Sequence, residues 1–198
     1  MRTVGICAIL AIPAVYFMAN NDVLIRSIIA GFFQKHTDFS SFYNKITPLF
    51  NFIFHGVPQF MAAVLILILG RYRFKELYVP GKIALIALTA SGLAVQAIKH
   101  LVGRGRPRVA ETFTALGPTL NGDYDSFPSG HTVLAFTIAV LVTHYFPKFR
   151  VPVYIYAVLS AFHRVKTGSH FPSDVTAGAF VGLVVTNIVL HYTKDNKN

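Results

Sequence analysis

The sequence has few charged residues and lacks the features of an ordinary soluble domain. Only 13% of its 198 residues are charged, whereas 54% are hydrophobic; soluble domains carry about 25% charged residues. A single cysteine, Cys7, excludes a disulfide framework and says nothing about the redox compartment. The absence of low-complexity tracts and long charged tails argues against disorder. The composition therefore indicates one polytopic membrane domain over residues 1–198.

Acidic residues are scarce as well. Eight Asp and Glu stand against 18 Lys and Arg, which gives a formal net charge of +10. Such an excess suits nucleic acid, anionic lipid headgroups or an anionic substrate. Because the basic residues are scattered among apolar segments, nucleic acid is the weakest of these three alternatives. We therefore expect a membrane bilayer and an anionic substrate as partners, and no nucleic acid.

Long apolar segments dominate the chain. A membrane-spanning helix needs about 20 predominantly apolar residues. Six segments meet this requirement, at about 3–19, 52–70, 82–101, 129–147, 150–168 and 174–192. The first resembles a secretory signal peptide, but Phe17 occupies a position where the cleavage site after Ala19 needs a small residue. We therefore expect a retained anchor and an all-α bundle of six transmembrane helices.

The connector between the first two spans, residues 20–50, is unusually long. Its apolar residues recur at helical spacing between Val23 and Phe33, with Arg26 and Lys35 in the same stretch. This pattern predicts an amphipathic helix in the headgroup layer, and a helix packed back on the bundle fits equally well. Basic residues divide evenly between the two faces, but the short inner loops favour both chain ends on the inside.

Three polar clusters flank the predicted spans, at residues 99–108, 127–131 and 163–174. Because successive helices alternate in direction, all three clusters lie on one face, whichever way the chain is inserted. Ionisable groups at this depth are costly and typically line a functional cavity. Snorkelling to the headgroups accounts for a single arginine, but not for the whole converging set. That set is Lys99, Arg106, His131, Arg164 and His170.

The cations of this set predict an anion-binding site. Arg106 and Arg164 can pair with phosphate oxygens in bidentate fashion, and Lys99 adds a point charge. Ser129 and Gly130 open a predicted helix, whose backbone amides and dipole favour an anion. The ligand we expect is a phosphate group with two or three negative charges.

Two histidines beside this site indicate phosphoryl transfer with a covalent step. One neutral imidazole attacks phosphorus and the other protonates the leaving alkoxide. Asp174 follows His170 by four residues and can orient its ring, although a plain helix N-cap explains Asp174 equally well. Zinc is disfavoured because there is no His-x-x-x-His pair and cations crowd the site, so we expect neither metal nor cofactor.

These motifs resemble a known family. Lys99-x6-Arg106-Pro107, Pro128-Ser129-Gly130-His131 and Arg164-x5-His170-x3-Asp174 are similar to the three signature motifs of the type 2 phosphatidic acid phosphatase (PAP2) superfamily. The resemblance covers about residues 95–180 and includes the order and spacing of the motifs.

The resemblance implies roles for the individual residues. His170 would be the nucleophile that forms a phosphohistidine, oriented by Asp174, and His131 would be the general acid. The phosphate-binding residues would be Lys99, Arg106, Ser129, Gly130 and Arg164. One position departs from the family pattern: His163 replaces the usual serine before Arg164, and it would contact either the phosphate or a neighbouring helix.

The sequence thus predicts a metal-independent lipid phosphatase of the membrane. Its substrate would be a phosphomonoester or pyrophosphate on a lipid headgroup, namely phosphatidic acid, phosphatidylglycerol phosphate, undecaprenyl pyrophosphate or a lipid A phosphate. A lipid phosphotransferase with the same site and a non-enzymatic anion-binding or transport protein are the alternatives. We expect a bacterial inner membrane and an extracytoplasmic site, with the oligomeric state undetermined. The flanking residues expected on a solvated rim are His100, Arg104, Arg108 and Lys166.

Overall fold

The structure, a computed structural model, describes residues 2–53 and 55–193. These residues form eight α-helices joined by loops and short 3₁₀ turns. The helices are α1 (Arg2–Asn20), α2 (Asp22–Lys35), α3 (Thr37–Ile53), α4 (Gly56–Tyr72), α5 (Tyr78–Val102), α6 (Gly130–Tyr145), α7 (Arg150–Lys166) and α8 (Pro172–Tyr192). The predicted all-α class is confirmed for this part of the chain.

The six predicted segments correspond to α1, α4, α5, α6, α7 and α8. Within the described residues, two helical segments are long and apolar enough to cross a membrane, Lys75–Val102 and Pro172–Tyr192. The number rises to four if the bent pairs α1–α2 and α3–α4 each form one span, and α6 is apolar but shorter. Six spans therefore stay a prediction. Residues 194–198, expected on the inner side, lie outside the described part of the chain.

The connector of residues 20–50 forms two helices instead of one amphipathic helix. The axes of α1 and α2 differ by 63°, and α3 follows α2 after a break at His36. Phe33 of α2 and Tyr43 of α3 are buried against each other, with ring centroids 5.2 Å apart. Val23 and Ile28 of α2 are exposed. The segment thus packs back on the bundle with one face and presents an apolar face to the surroundings.

Helix α6 lies at the centre of the bundle, in contact with α5, α7 and α8. It is apolar on all sides, as a buried helix must be. Ala135 and Ala139 pack on Ala157 of α7. The hydroxyl of Thr137 donates to Ser91 Oγ of α5 at 2.9 Å, so these buried polar groups satisfy each other.

Close packing of α6 on α8 brings the N-terminal ends of both helices together. Gly178 permits this approach, because a Cβ atom there would lie 2.8 Å from the Ser129 carbonyl oxygen. The Ser129 amide donates to the Asp174 carbonyl oxygen at 3.0 Å. Two predicted site residues from separate motifs are thereby joined through the backbone.

Candidate active site

A cavity of about 360 Å³ opens between the C-terminal ends of α5 and α7 and the N-terminal ends of α4 and α6. Six of the eight predicted site residues lie on its wall, namely Lys99, Arg106, Gly130, His131, Arg164 and His170. Apolar side chains such as Phe60, Val95 and Leu134 line the remainder. The convergence of the three polar clusters at one end of the bundle, predicted from helix direction, is confirmed.

Lys99 and Arg106 share a carboxylate that the sequence analysis missed. Arg106 Nε donates to Asp125 Oδ1 at 2.6 Å, and Lys99 Nζ lies 3.5 Å from Asp125 Oδ2 and also donates to the Asp125 carbonyl oxygen. Burial tends to raise the pKa of Asp125, but the hydrogen bond from Arg106 and the charge of Lys99 together lower it below its ordinary value. An ionised carboxylate therefore lies beside two of the three cations. Asp174, the one carboxylate among the predicted site residues, is thus not the sole carboxylate at the site.

Arg164 occupies the last turn of α7, where the chain turns back towards α8. Its carbonyl oxygen accepts from the amides of Ser169 at 3.1 Å and His170 at 3.2 Å. This turn carries His170 to the same cavity wall as the Arg164 side chain. Nε of Arg164 is buried without a hydrogen-bond partner among residues 2–53 and 55–193. Because a buried guanidinium donor needs an acceptor, this atom is suited to contact a bound anion.

His170 is almost completely buried, and its ring is held in one orientation. Nδ1 lies 2.8 Å from the carbonyl oxygen of Ser126, and because a carbonyl only accepts, Nδ1 must carry the proton. Nε2 then keeps its lone pair. Burial lowers the pKa of His170, while the charge of Asp174 opposes this shift. The lowered pKa favours the neutral imidazole, the form that a nucleophile requires.

Asp174 is not the N-cap of α8, which is Phe171, but the third residue of the helix. Its Oδ2 accepts from the amide of Phe171 at 2.8 Å, as the acidic residue at this position of a capping box does. The same oxygen is 3.6 Å from Nδ1 of His170 and accepts from the hydroxyl of Ser126 at 2.6 Å. Ser126, missed by the sequence analysis, therefore bridges the carboxylate and the imidazole.

Three predicted site residues, Ser129, Gly130 and His131, lie at the start of α6, and two of them line the cavity. Gly130 and His131 line the cavity, and the His131 ring packs edge-on against His55, with centroids 5.5 Å apart. Ser129 is fully buried and its Oγ accepts from the hydroxyl of Thr132 at 3.1 Å. Ser129 is not among the residues that line the cavity. A direct phosphate contact from Ser129 therefore stays a prediction.

Two residues next to the motifs, Arg104 and His163, are buried in the structure. Arg104, expected to be solvated, is completely buried, so that expectation is wrong; Arg108 is exposed as expected. His163 is also buried, with Nδ1 at 2.9 Å from the Tyr43 hydroxyl and Nε2 at 2.8 Å from Asn51 Oδ1. Of its two alternative partners, His163 contacts the neighbouring helix, α3.

The described residues hold no group of three or more His, Cys, Asp or Glu side chains that could bind a metal ion. Metal independence nevertheless stays a prediction, because it concerns activity and needs a measurement of activity.

The family follows from the sequence match. A family model described as the PAP2 superfamily matches residues 80–198, a range that contains all eight predicted site residues. The chain therefore belongs to the PAP2 superfamily, and the predicted resemblance is confirmed. Its described residues include two helical segments that are long and apolar enough to cross a membrane.

Individual relatives are phosphatases by name. The chain is 34% identical to lipid A 1-phosphatase of Rhizobium etli over 120 residues, which are 57% of this chain and 51% of that protein. It is 31% identical to undecaprenyl-diphosphatase BcrC of Bacillus subtilis over 99 residues, 48% of this chain and 50% of that protein. The matches thus span about half the length of these curated relatives.

One solved structure extends the fold comparison to the whole chain. The transmembrane PAP2-type phosphatidylglycerolphosphate phosphatase of Bacillus subtilis superposes with a TM-score of 0.75, covering 100% of this chain and 99% of that one. Sequence identity is 20%, so this comparison establishes a shared fold.

Proposed function

We propose that the protein hydrolyses a phosphomonoester or pyrophosphate on a lipid headgroup through a phosphohistidine intermediate. The observation that carries the proposal is the fixed tautomer of His170, with Nδ1 held by Ser126, in a cavity that three cationic side chains line. A nucleophilic nitrogen thus lies on the wall of a site suited to a phosphate group. The phosphatase names of the relatives support the same reaction class.

In the first step, Nε2 of His170 attacks phosphorus. The P–N bond forms while the bond from phosphorus to the headgroup oxygen breaks, and His131 gives its proton to that leaving oxygen. Lys99, Arg106 and Arg164 stabilise the negative charge on the phosphoryl oxygens, with the Gly130 amide at the helix start as a further donor. The product of this step is the dephosphorylated lipid and a phosphorylated His170.

In the second step, water attacks the phosphorus of the phosphohistidine. His131, now neutral, takes a proton from the water, the P–N bond breaks, and inorganic phosphate leaves. Proton and charge return to their starting positions, so neither step needs a metal ion or a cofactor.

The membrane supplies the substrate from the side. We propose that α1, α4, α5, α6, α7 and α8 cross the bilayer, with α2 and α3 lying against the headgroup layer. The acyl or prenyl chains then remain in the bilayer while the headgroup reaches the cavity. We propose a bacterial inner membrane with the site on its extracytoplasmic face; the named relatives are bacterial proteins.

The test is phosphate release from a lipid panel in detergent micelles containing EDTA. The panel comprises phosphatidic acid, phosphatidylglycerol phosphate, undecaprenyl pyrophosphate and lipid A. Wild type is compared with His170→Ala, and with His144→Ala as a matched control, since His144 lies at the opposite end of α6 and is exposed. We expect release by wild type and the control, none by His170→Ala, and a ranking across the panel that names the substrate class.

Two other results would contradict parts of the proposed mechanism, and a third would favour the phosphotransferase. Full release by His170→Ala would exclude the phosphohistidine, and loss of release on adding EDTA would exclude a metal-independent reaction. No release from any lipid, but transfer of phosphate to an added acceptor lipid, would establish the phosphotransferase instead.

A further inference from the structure

A carboxylate of the connector helix α2 is buried beside the catalytic residues. Asp22, the first residue of α2, is only 2% exposed although the other charges of that helix are basic and lie nearer the surface. Its Oδ1 accepts from the amide of Ser173 at 2.8 Å, and its Oδ2 accepts from the Ser173 hydroxyl at 2.6 Å. The N-terminal ends of α2 and α8 are joined by these bonds.

Arg104 connects this carboxylate to the active site. Nη2 of Arg104 donates to Asp22 Oδ2 at 2.7 Å. Nη1 donates to Asp174 Oδ1 and, at 2.7 Å, to Ser173 Oγ. The guanidinium also lies over the Phe171 ring, 4.2 Å from its centroid. Burying three charged groups is costly, and these bonds offset part of that cost, because they satisfy both terminal nitrogens of Arg104 and leave only its Nε without a partner among the described residues.

The charges of this buried cluster do not cancel. Asp22 and Asp174 are two carboxylates, and they share the single positive charge of Arg104. Asp174 is therefore only partly neutralised, and its other oxygen stays near Nδ1 of His170, at 3.6 Å. Were Asp22 uncharged, Arg104 would pair with Asp174 alone and the negative charge near His170 would fall.

We propose that Asp22 is a positioning residue for the reaction at His170, acting through Arg104 on the Asp174 carboxylate. The proposal rests on the function proposed above, because it needs His170 to be the nucleophile. It assigns to α2 a part in catalysis beyond packing and lipid access, and it explains why a lone acidic residue is buried in a helix of basic and apolar ones.

The effect on His170 follows from all the groups that face it. Asp174 of α8 contributes negative charge, whereas Lys99 of α5 and Arg164 of α7 contribute positive charge, and His131 of α6 shares the cavity. Removing the negative charge of Asp22 makes the electrostatic potential at the His170 ring more positive. The pKa of His170 then falls further, and the imidazole becomes a weaker nucleophile.

The experiment is Asp22→Asn in the full-length protein, assayed on the lipid that wild type hydrolyses best. Asp38→Asn is the matched control, because Asp38 is an exposed carboxylate in the first turn of the neighbouring helix α3. We expect kcat to fall about 10- to 100-fold, as when a reacting group loses its orientation, with KM within about twofold. The acidic limb of the kcat/KM profile should move to lower pH by about one unit, while the control matches wild type.

A purely structural role for Asp22 would give a different result. It would lower the amount of folded enzyme, but the remaining enzyme would keep the wild-type pH profile and kcat per folded molecule, and this outcome would overturn the proposal. If Asp22→Asn does not fold, Asp22→Ser removes the same charge and keeps a smaller acceptor for the Ser173 amide. It should shift the profile in the same direction, and an unchanged profile would again overturn the proposal.

His170→Ala in the same assay separates the two hypotheses. If it retains full turnover, the proposed function fails, whatever Asp22→Asn does. If it is inactive while Asp22→Asn behaves as wild type, the phosphohistidine mechanism stands and the role of Asp22 alone is wrong.

Discussion

Arg106 Nε and Asp125 Oδ1 lie 2.6 Å apart on the cavity wall, an ion pair between a proposed phosphate-binding arginine and a carboxylate. The same carboxylate lies near Lys99 Nζ. Asp125 thus holds two cations in place, but its negative charge also repels an incoming phosphate. Binding of the anion must offset this repulsion.

Removing that charge should strengthen anion binding. Asp125→Asn keeps a carbonyl oxygen for Arg106 and is expected to lower the inhibition constant of orthophosphate about tenfold, which corresponds to about 1.4 kcal/mol. Competitive inhibition of lipid hydrolysis measures this constant. Asp123→Asn is the control, because Asp123 pairs with the exposed Arg108 in the same loop. Weaker inhibition of the Asp125 variant would mean that Asp125 serves chiefly to orient the cations.

The buried imidazole of His170 predicts activity well into the acidic range. Burial lowers the pKa of His170, and only the neutral ring attacks, so activity is lost when pH falls through this lowered pKa. The acidic limb of kcat/KM should therefore lie below the ordinary histidine value of about 6.5. Two substrates with different phosphate pKa values distinguish ionisation of the enzyme from that of the substrate. A limb at or above 6.5 with both substrates would contradict a buried neutral His170.

The guanidinium of Arg164 should not be replaceable by a lysine. Lysine keeps the charge but lacks the planar fork and the Nε donor, which in Arg164 is buried without a partner among the described residues. Arg164→Lys is expected to lower kcat/KM about 100-fold, the effect of losing one donor to a developing oxyanion. Arg108→Lys, at an exposed position, should change it less than about twofold. Equal activity of both variants would remove Arg164 from the phosphate-binding set.

The sequence was sufficient to predict the helices and the end of the bundle at which the site lies. Apolar segments of spanning length located six of the helices, and their alternating direction brought His131, Arg164 and His170 to one cavity. These features depend on local composition and on connectivity, both of which a single sequence contains. The number of membrane spans depends on packing and bending as well, so length alone did not establish it.

The sequence did not predict the buried ion network of Asp22, Arg104 and Asp174, because these residues are distant along the chain. Arg104 contacts Asp22 across 82 positions and Asp174 across 70, and nothing in its own neighbourhood distinguishes it from the exposed Arg108. Weak signals were present for two missed residues. Asp22 is an isolated acid in a basic amphipathic segment, and Asp125 lies three residues before Pro128, where the second motif begins.

The contact of α6 with α8 at Gly178 makes the arrangement of the site depend on one missing side chain. A Cβ atom at this position would lie 2.8 Å from the Ser129 carbonyl oxygen and 3.1 Å from Thr132 Cβ. Gly178→Ala should therefore cost about 1–3 kcal/mol of folding free energy and lower activity by separating Ser129 from Asp174. Thermal loss of the helical circular dichroism signal in detergent measures the first effect. Gly31→Ala, where the added atom meets nothing within 4 Å, should be neutral or slightly stabilising because alanine favours helix. Equal thermal midpoints for the two variants would mean that α6 and α8 can move apart at Gly178 without loss of folding free energy. In that case the hydrogen bond from the Ser129 amide to the Asp174 carbonyl oxygen could not be what aligns the second and third motifs.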